Sequence, residues 1–386
     1  MSASNDIFLS RRLLGGGSDR DNRWGVRFAR WGVVVSVLVM VMTLSIVLGF
    51  QRTVADKVAD YTAHIRLTDY SYNDTYDFEP VQKTDSILDR LRSVEHVQRV
   101  EAFWSKPAIL KTDDEALGVV LLATSDTCVT MSKRMMERLG LQQGERFYAY
   151  FAGESLRVRR LTVDSIHQTG FGEGDDLFLR VPAAVICDLN DWSDSLCSGY
   201  LVWCDELENV DASADELYYL TAYDESNSLF VQTMTDTNPQ IFAWLALLDT
   251  NVWVVIILMM LVAIFSMISA LMLLILGGLR TIGTLKALGA TSRRVARIYL
   301  LQGMLLVVRS MIVGDVLALV LCYVQDKTHL VALDPTSYYV DAVPVCYPWT
   351  AIGLLNIAIF VLAMLVLLLP AAIVRHVSPA RVMRFE

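Results

Sequence analysis

Residues 31–50 read WGVVVSVLVMVMTLSIVLGF, and whether this run is kept or removed decides the fold. It is twenty residues without a charged side chain, and about 20 apolar residues are what a helix needs to cross a bilayer. A basic segment precedes it, as in a secretory signal. The run is nevertheless longer than the ~7–15 residues of a signal's apolar region, and no small-x-small cleavage site follows. It reads as a retained first span. Further runs of this kind cover residues 252–279, 297–324 and 350–374, each beyond the ~18 residues at which a buried core helix becomes the weaker explanation. The 54% apolar content and mean hydropathy of +0.41 fit this pattern. The expected fold is a membrane protein with four transmembrane helices and a large α+β extracytoplasmic domain, residues 51–251, between the first two.

Basic residues set the orientation. Arg11, Arg12, Arg20, Arg23, Arg27 and Arg30 lie in residues 1–30; Arg280, Lys286, Arg293, Arg294 and Arg297 lie between spans two and three; Arg375, Arg381 and Arg384 lie in residues 375–386. The loop 325–349 offers only Lys327. The positive-inside bias puts both termini and the loop at 280–296 in the cytoplasm, and residues 51–251 and 325–349 outside. That large segment holds 17 Lys/Arg against 34 Asp/Glu, an acidic solvated surface that speaks against a nucleic-acid partner. Cys128, Cys187, Cys197 and Cys204 fall there, where an oxidising compartment permits disulfides. Cys197 and Cys204 flank SGYLVW, a strand pattern that holds them ~23 Å apart, too far to bridge.

After the first span, Val54, Val58, Tyr61 and Ile65 recur at helical spacing among charges, which predicts that the helix continues outward as a stalk. PQIFAWLALLDTNVWVV from Pro239 leads into span two with no breaker before Gly277, predicting a second stalk within a helix over 240–278. Between them, TDSILDRLRSV, capped by Thr84 or Asp85, and MSKRMMERLG, ended by Gly140, read as helices. VQRVEAFWSKPAILKT, LGVVLLAT, ERFYAYF, LRVRRLTVDSIHQTG, DLFLRVPAAVI and SGYLVW read as strands. FAGESL forms a tight hairpin. The strand cluster at 144–180 suggests two subdomains.

Enzymatic constellations are missing. The five histidines are scattered without metal-site spacing, and neither a Gly-x-Ser-x-Gly elbow nor a Gly-Lys-Ser/Thr phosphate loop occurs. The acidic groups in TDDEALG and GEGDDLF read as turn chemistry. No metal or cofactor site is expected in this chain, and ATP must be used elsewhere. Arg309 and Asp315 lie inside span three, where a charge costs at least ~2.5 kcal/mol. They stand ~240° apart around the helix, so each needs its own partner or water.

RTIGTLKALGATSRRVARIYL, residues 280–300, is basic and punctuated by glycine. Ile282, Leu285 and Leu288 recur every three residues with Arg280 and Lys286 off that face, and Gly289 supplies a C-cap. Thr291 or Ser292 then caps a new helix entering span three. Composition alone gives a short basic interfacial helix as an equal alternative.

At these residues the sequence resembles the permease family that includes the LolC and LolE subunits of the lipoprotein-releasing ABC system, FtsX and the membrane part of MacB. IGTLKALGATSRRVARIYLLQG matches the family's segment between spans two and three, with Thr281 where a glutamate is common. SPARVMRFE, VDAVPVCYPW, MSKRMMERLGLQQGERFYAY and VDSIHQTGFGEGDDLFLRVPAAV are similar to further parts of it. The resemblance implies a multi-pass permease of the bacterial inner membrane with a MacB-like periplasmic domain. It also implies pairing with a second copy or a paralogue, and separate cytoplasmic ABC ATPase subunits that bind ATP and magnesium. Arg280, Ile282, Leu285, Lys286, Leu288 and Gly289 then form the ATPase-coupling helix. In the Lol system the cargo is a lipoprotein passed to a periplasmic chaperone. The hairpin at FAGESL is short where the chaperone-recruiting permease has an extended hook. A MacB-like exporter of peptides or small molecules and an FtsX-like regulator of cell-wall hydrolases are the alternatives. A 30-residue N-terminal segment leaves no room for the ATPase fused in MacB, and FtsX usually has a smaller outer domain.

Overall fold

The computed structural model describes residues 20–70, 76–112, 115–125, 127–151, 157–167, 173–222, 229–334 and 338–376. The chain divides into two compact units. One comprises Met1–Phe50, Ala246–Leu330 and Pro344–Glu386, the other Gln51–Leu245 and Val331–Val343.

Long helices dominate the first unit: α1 (Arg20–Thr62), α8 (Pro239–Gly277), α10 (Ser292–Thr328) and α11 (Trp349–His376). Four helices, over these same regions, are long and apolar enough to cross a membrane. They overrun the apolar runs that announce them, because helical hydrogen bonding does not stop where the apolar sequence stops. Their shared core joins Val33, Val37, Met40 and Val41 of α1 to Met267 and Leu271 of α8, Met311 and Ala318 of α10, and Ile359 and Ala363 of α11. Small residues allow the close approach such packing needs where lipid supplies no hydrophobic drive. A Cβ at Gly314 would stand 2.9 Å from the Val34 carbonyl oxygen, and one at Gly32 would meet the Ser266 hydroxyl. Buried hydroxyls return to their own helix, Ser36 to the Gly32 carbonyl at 2.9 Å and Ser310 to that of Leu306 at 2.8 Å.

The second unit is built on a ten-stranded sheet in the order β12-β1-β11-β3-β4-β9-β5-β8, with β6 and β7 joined to it through β3. The strands are β1 (Ile65–Thr68), β3 (Val97–Lys111), β4 (Ala116–Ala123), β5 (Thr130–Ser132), β6 (Arg146–Phe151), β7 (Arg157–Thr162), β8 (Ser165–His167), β9 (Phe178–Arg180), β11 (Gly199–Cys204) and β12 (Phe230–Thr233). A separate ladder pairs β2 (Val81–Gln82) with β10 (Leu196–Cys197). The 15-residue β3 is the spine. It pairs β11 from Val97 to Phe103, β4 from Trp104 to Lys111, and β6 from Ile109 to Lys111. Pro107 falls in the interval that neither β11 nor β6 reaches, where a missing amide donor is tolerated. Helices α2 (Asp85–Arg92), α3 (Lys133–Leu139), α5 (Ala183–Asn190) and α6 (Val210–Ala222) bury Ile87, Leu91, Met135, Leu139, Ile186 and Leu217 in one core with Leu110, Leu121, Phe147, Tyr200 and Val202 of the sheet. Leu201 of β11 belongs to a second cluster with Ala63, Phe78 and Phe103, as period-2 alternation in a doubly covered strand requires.

One local expectation is met: Gly140, at φ 67°, ends α3. The start of that helix is later than the sequence suggested, since Ser132 closes β5 and, as the N-cap, accepts a hydrogen bond from the Met135 amide. Thr84 occupies the N-cap of α2 but makes no side-chain cap bond. Other readings need correction. The strands at 144–180 are no separate subdomain: β6 pairs β3 and β9 pairs β4 within the one sheet. DLFLRVPAAVI is a strand only at Phe178–Arg180, lying between α4 (Glu173–Leu177) and α5. Pro182, with φ fixed at −59°, is the N-cap of α5 and suits a helix start. LRVRRLTVDSIHQTG breaks into β7 and β8, because Val163 still bonds Glu145 and Gly144 beside β6 whereas the amides of Asp164 and Ser165 donate to the Val129 carbonyl next to β5. The stalk of α1 ends before Ile65. Ala63 turns left-handed at φ 59°, and the chain leaves as β1 to pair β11. Residues 152–156 of the FAGESL hairpin, the SPARVMRFE segment and Asp113 and Asp114 lie outside the described residues, whereas the flanking strands β6 and β7 pair in register from Arg146–Thr162 to Phe151–Arg157. All six cysteines are free thiols, Cys197 and Cys204 in separate strands.

Candidate coupling site

Two elbows isolate a short helix between α8 and α10. The first is at Gly278, the N-cap of α9 (Leu279–Ala287). A Cβ there would strike the Tyr299 hydroxyl, which donates to the Gly278 carbonyl at 3.3 Å. Only glycine lets α10 come this close. The second elbow is a complete Schellman motif. Gly289 sits at φ 88°, its amide bonds the Lys286 carbonyl at 3.1 Å, and the Ala290 amide reaches back to Leu285 at 2.9 Å. Leu288 holds the C-cap, so Gly289 stands one residue beyond it, the place where a left-handed residue ends a helix at least cost. Thr291 immediately caps α10, accepting from the Arg294 amide at 3.4 Å.

The structure redraws the apolar face expected of α9. Ile282 is fully buried in the bundle core with Ile275, Val295 and Tyr299, and Leu285 packs partly against the same core. Leu288 is 86% exposed. A three-residue repeat slips ~60° per step against a 3.6-residue helix, so over two steps the row turns from the bundle to the outside. Three candidate residues thus split into an anchor, a hinge and a projecting knob. Lys286 is half-buried, Arg293 and Arg297 are exposed near Leu288 in sequence, and the side chain of Arg280 lies outside the described residues. Thr281 gives its carbonyl to the Thr284 hydroxyl at 3.0 Å.

Arg309 and Asp315 are not brought together. Arg309 is exposed on α10, while Asp315 is half-buried and accepts from Asn356 Nδ2 of α11 at 3.3 Å. Sequence reasoning missed Asn356, although an amide within an apolar run is the signal that finds it.

In the α+β unit the end of α1 is held by side-chain hydrogen bonds. Tyr61 donates to buried Asp175, Trp203 Nε1 donates to the Ala59 carbonyl at 3.0 Å, and the Cys204 amide donates to His64 Nδ1 at 2.9 Å. Burial pushes the His64 pKa down, against the raising influence of Asp56 and Asp60, and pushes that of Asp56 up. On the surface, the hydrogen bond that His96 Nδ1 donates to the Asp205 carboxylate, 3.0 Å away, raises the pKa of His96. Asn209 and then His96 hold the Asp205 carboxyl down at about 2. Among the described residues no group of His, Cys, Asp and Glu side chains is placed to hold a metal ion.

A four-helix membrane unit with an α+β unit inserted between its first two helices, and a glycine-hinged helix between its second and third, defines a polytopic permease architecture. Residues 253–379 match the family described as FtsX-like permease C-terminal. That part of the chain is similar to FtsX-like permeases. The chain is similar to the lipoprotein-releasing system transmembrane protein LolC of Xylella fastidiosa, strains 9a5c and Temecula1, at 18% identity over 92% of this chain and 92% of each relative. Solved structures that match include the extracellular domain of the noncanonic ABC-type transporter YknZ from Gram-positive bacteria, at 15% identity and a TM-score of 0.29, covering 44% of this chain and 98% of that one. The periplasmic region of MacB from Actinobacillus actinomycetemcomitans matches at 11% identity and a TM-score of 0.31, covering 49% and 97%.

Proposed function

We propose that this chain is the permease subunit of an ABC system that extracts lipoproteins from the bacterial inner membrane and delivers them to a periplasmic carrier. What carries the reading is the likeness to LolC along 92% of both chains, together with a knob-bearing helix between spans two and three. In this reading both termini and α9 are cytoplasmic, as the basic loops favour, and the α+β unit is periplasmic. A separate ATPase subunit binds ATP and magnesium and receives exposed Leu288 in an apolar groove, with Arg293 and Arg297 beside it. Buried Ile282 and the Tyr299 contact at Gly278 make α9 continuous with the bundle core, so a push on Leu288 is passed to α8 and α10 rather than absorbed by a loose loop. The permease works beside a second permease chain, and a periplasmic lipoprotein chaperone takes the cargo.

The test is release from proteoliposomes. Complex containing this chain and its ATPase should transfer an acylated protein to a soluble acceptor only with ATP. Equal release of the same protein without its acyl chains would replace lipoprotein extraction by general export.

A further inference from the structure

Of the six cysteines, Cys322 and Cys346 belong to the spanning unit, and both bear on one residue of α1. Cys346 lies on the short segment that leads into α11. Its amide donates to the Ser45 carbonyl at 3.1 Å, and its Sγ to the same oxygen at 3.5 Å. Backbone meets backbone here: a Cβ at Gly49, four residues on, would stand 2.7 Å from the Cys346 nitrogen and 3.0 Å from the Pro344 carbonyl oxygen. From α10, the thiol of Cys322 faces the Ser45 hydroxyl, a buried group that makes no full hydrogen bond among the described residues. Tyr347, next to Cys346, also lies within electrostatic reach of Cys322. Serine is small, so two thiols distant along the chain converge on one spot. Tyr323 and Trp349, 58% and 66% exposed, adjoin the pair in sequence. Amphipathic rings of this kind sit at headgroup level, which places the pair where bilayer meets water. Cys346 is half-buried there, whereas Cys322 is 1% exposed.

We propose that Cys322 and Cys346 are a reversible dithiol, which a disulfide compound of the outer compartment oxidises to a bond stapling the strap Pro344–Tyr347 to the end of α10. The side from which the reagent comes rests on the orientation in the reading above, where the loop 325–349 faces an oxidising compartment. The pairing itself rests on the contacts at Ser45. Cys346, the thiol that meets solvent, attacks the reagent R–S–S–R as its thiolate, forming Cys346–S–S–R and releasing RS⁻. The Cys322 sulfur, deprotonated in turn, attacks the Cys346 sulfur and expels the second RS⁻. The two protons lost by the protein end on the two released thiolates, and two electrons pass to the reagent. The strap is loop, so rotation at Cys346 is what brings the sulfurs to the about 2 Å of the bond. In the reduced state the strap is held on α1 by the hydrogen bonds to Ser45 and by packing at Gly49. Oxidation closes a covalent ring over residues 322–346, whose middle, Val331–Val343, belongs to the α+β unit. Both ends of that excursion are then fixed, and the chain freedom removed grows with the length of the ring.

The experiment uses right-side-out and inverted membrane vesicles carrying the full-length chain. They are reduced, washed, exposed to oxidised glutathione, which does not cross the bilayer, then alkylated and digested with trypsin. Lys327 separates the two cysteines. Residues 310–327 and 328–375 should therefore come off right-side-out vesicles as one species that dithiothreitol divides, at least about tenfold more abundant than without oxidant. Cys322→Ser should stop at glutathione on Cys346, whereas Cys346→Ser should leave Cys322 unmodified, because burial shields its thiol. In the unsubstituted protein, amide exchange over Val345–Tyr347 should slow on oxidation. No linked species from either kind of vesicle, a link from Cys346 to a second copy of the chain, or equal modification of the two single variants overturns the dithiol, and unchanged exchange overturns the staple. A link formed only in inverted vesicles strikes the orientation, and with it the permease reading, while the pairing stands.

Discussion

Leu288 and Ile282 are six residues apart, similar in chemistry and opposite in consequence. Leu288→Asp puts a charge on a side chain that is 86% exposed; the protein should fold and insert as before. On the proposed coupling role its ATPase co-purification should fall at least about tenfold, or about 1.4 kcal/mol, because the charge would enter an apolar groove. Ile282→Asp places the charge in the bundle core, where an unpaired carboxylate is not tolerated. Full-length, monodisperse protein should then be lost on size-exclusion chromatography, whatever the ATPase does. Tyr61 offers a test in the other unit. Tyr61→Phe removes the hydroxyl that donates to buried Asp175, and a buried acceptor deprived of a donor costs about 1–3 kcal/mol. A lowered unfolding midpoint, without loss of insertion, is the expected result.

Among the elements, the two glycine elbows are what make α9 a separate piece. Gly289→Ala keeps the volume open but forces a side chain onto φ 88°, costing about 1–2 kcal/mol. ATPase co-purification should weaken while α8 and α10 still insert. Gly314 tests packing instead. In Gly314→Val the new side chain meets the Val34 carbonyl and Val37, and overpacking of this kind typically costs about 1–3 kcal/mol. The thermal midpoint in lipid nanodiscs should drop, whereas the same change at exposed Gly353, which has nothing within 4 Å, should not lower it by more than a fraction of that. Capping at Gly140 and Thr291 was readable in the sequence because a cap needs only its own few residues. The division of VDSIHQTGFGEGDDLFLRVPAAV into β8, α4, β9 and α5 was not. Its apolar run is too short for periodicity to separate helix from strand, and the choice falls to β4, which pairs only Phe178–Arg180.

The whole molecule responds to acid through two histidines of opposite sign. His64 has its pKa lowered by burial and uses its unprotonated Nδ1 to accept the Cys204 amide. The unfolded chain therefore takes up its proton first, and the stabilising contribution is lost as pH falls below the ordinary histidine value near ~6.5. His96 has a raised pKa; its contribution is present below that value and is lost as pH rises through the folded-state pKa. In full-length protein, His64→Gln should flatten the decline of the unfolding midpoint below pH 6.5, and His96→Gln should lower the midpoint at acid pH while leaving it unchanged at pH 8.5. An equal effect of either substitution at both ends of the range would contradict the assignment. The four spans, the α+β insert and the glycine-punctuated helix were legible from the order of residues. A bilayer demands unbroken apolar runs, and a helix end demands glycine or a capping hydroxyl; both are conditions on neighbours along the chain. Partners distant along the chain settled the rest. The spine role of β3, the joining of β6 and β9 to the main sheet, the inward turn of Ile282 and the choice of Asn356 as the partner of Asp315 rest on contacts such as Gly199 with Phe103, Tyr299 with Gly278 and Asn356 with Asp315. Periodicity says that a helix or strand has two sides, but which side is the inside is a property of whatever packs against it.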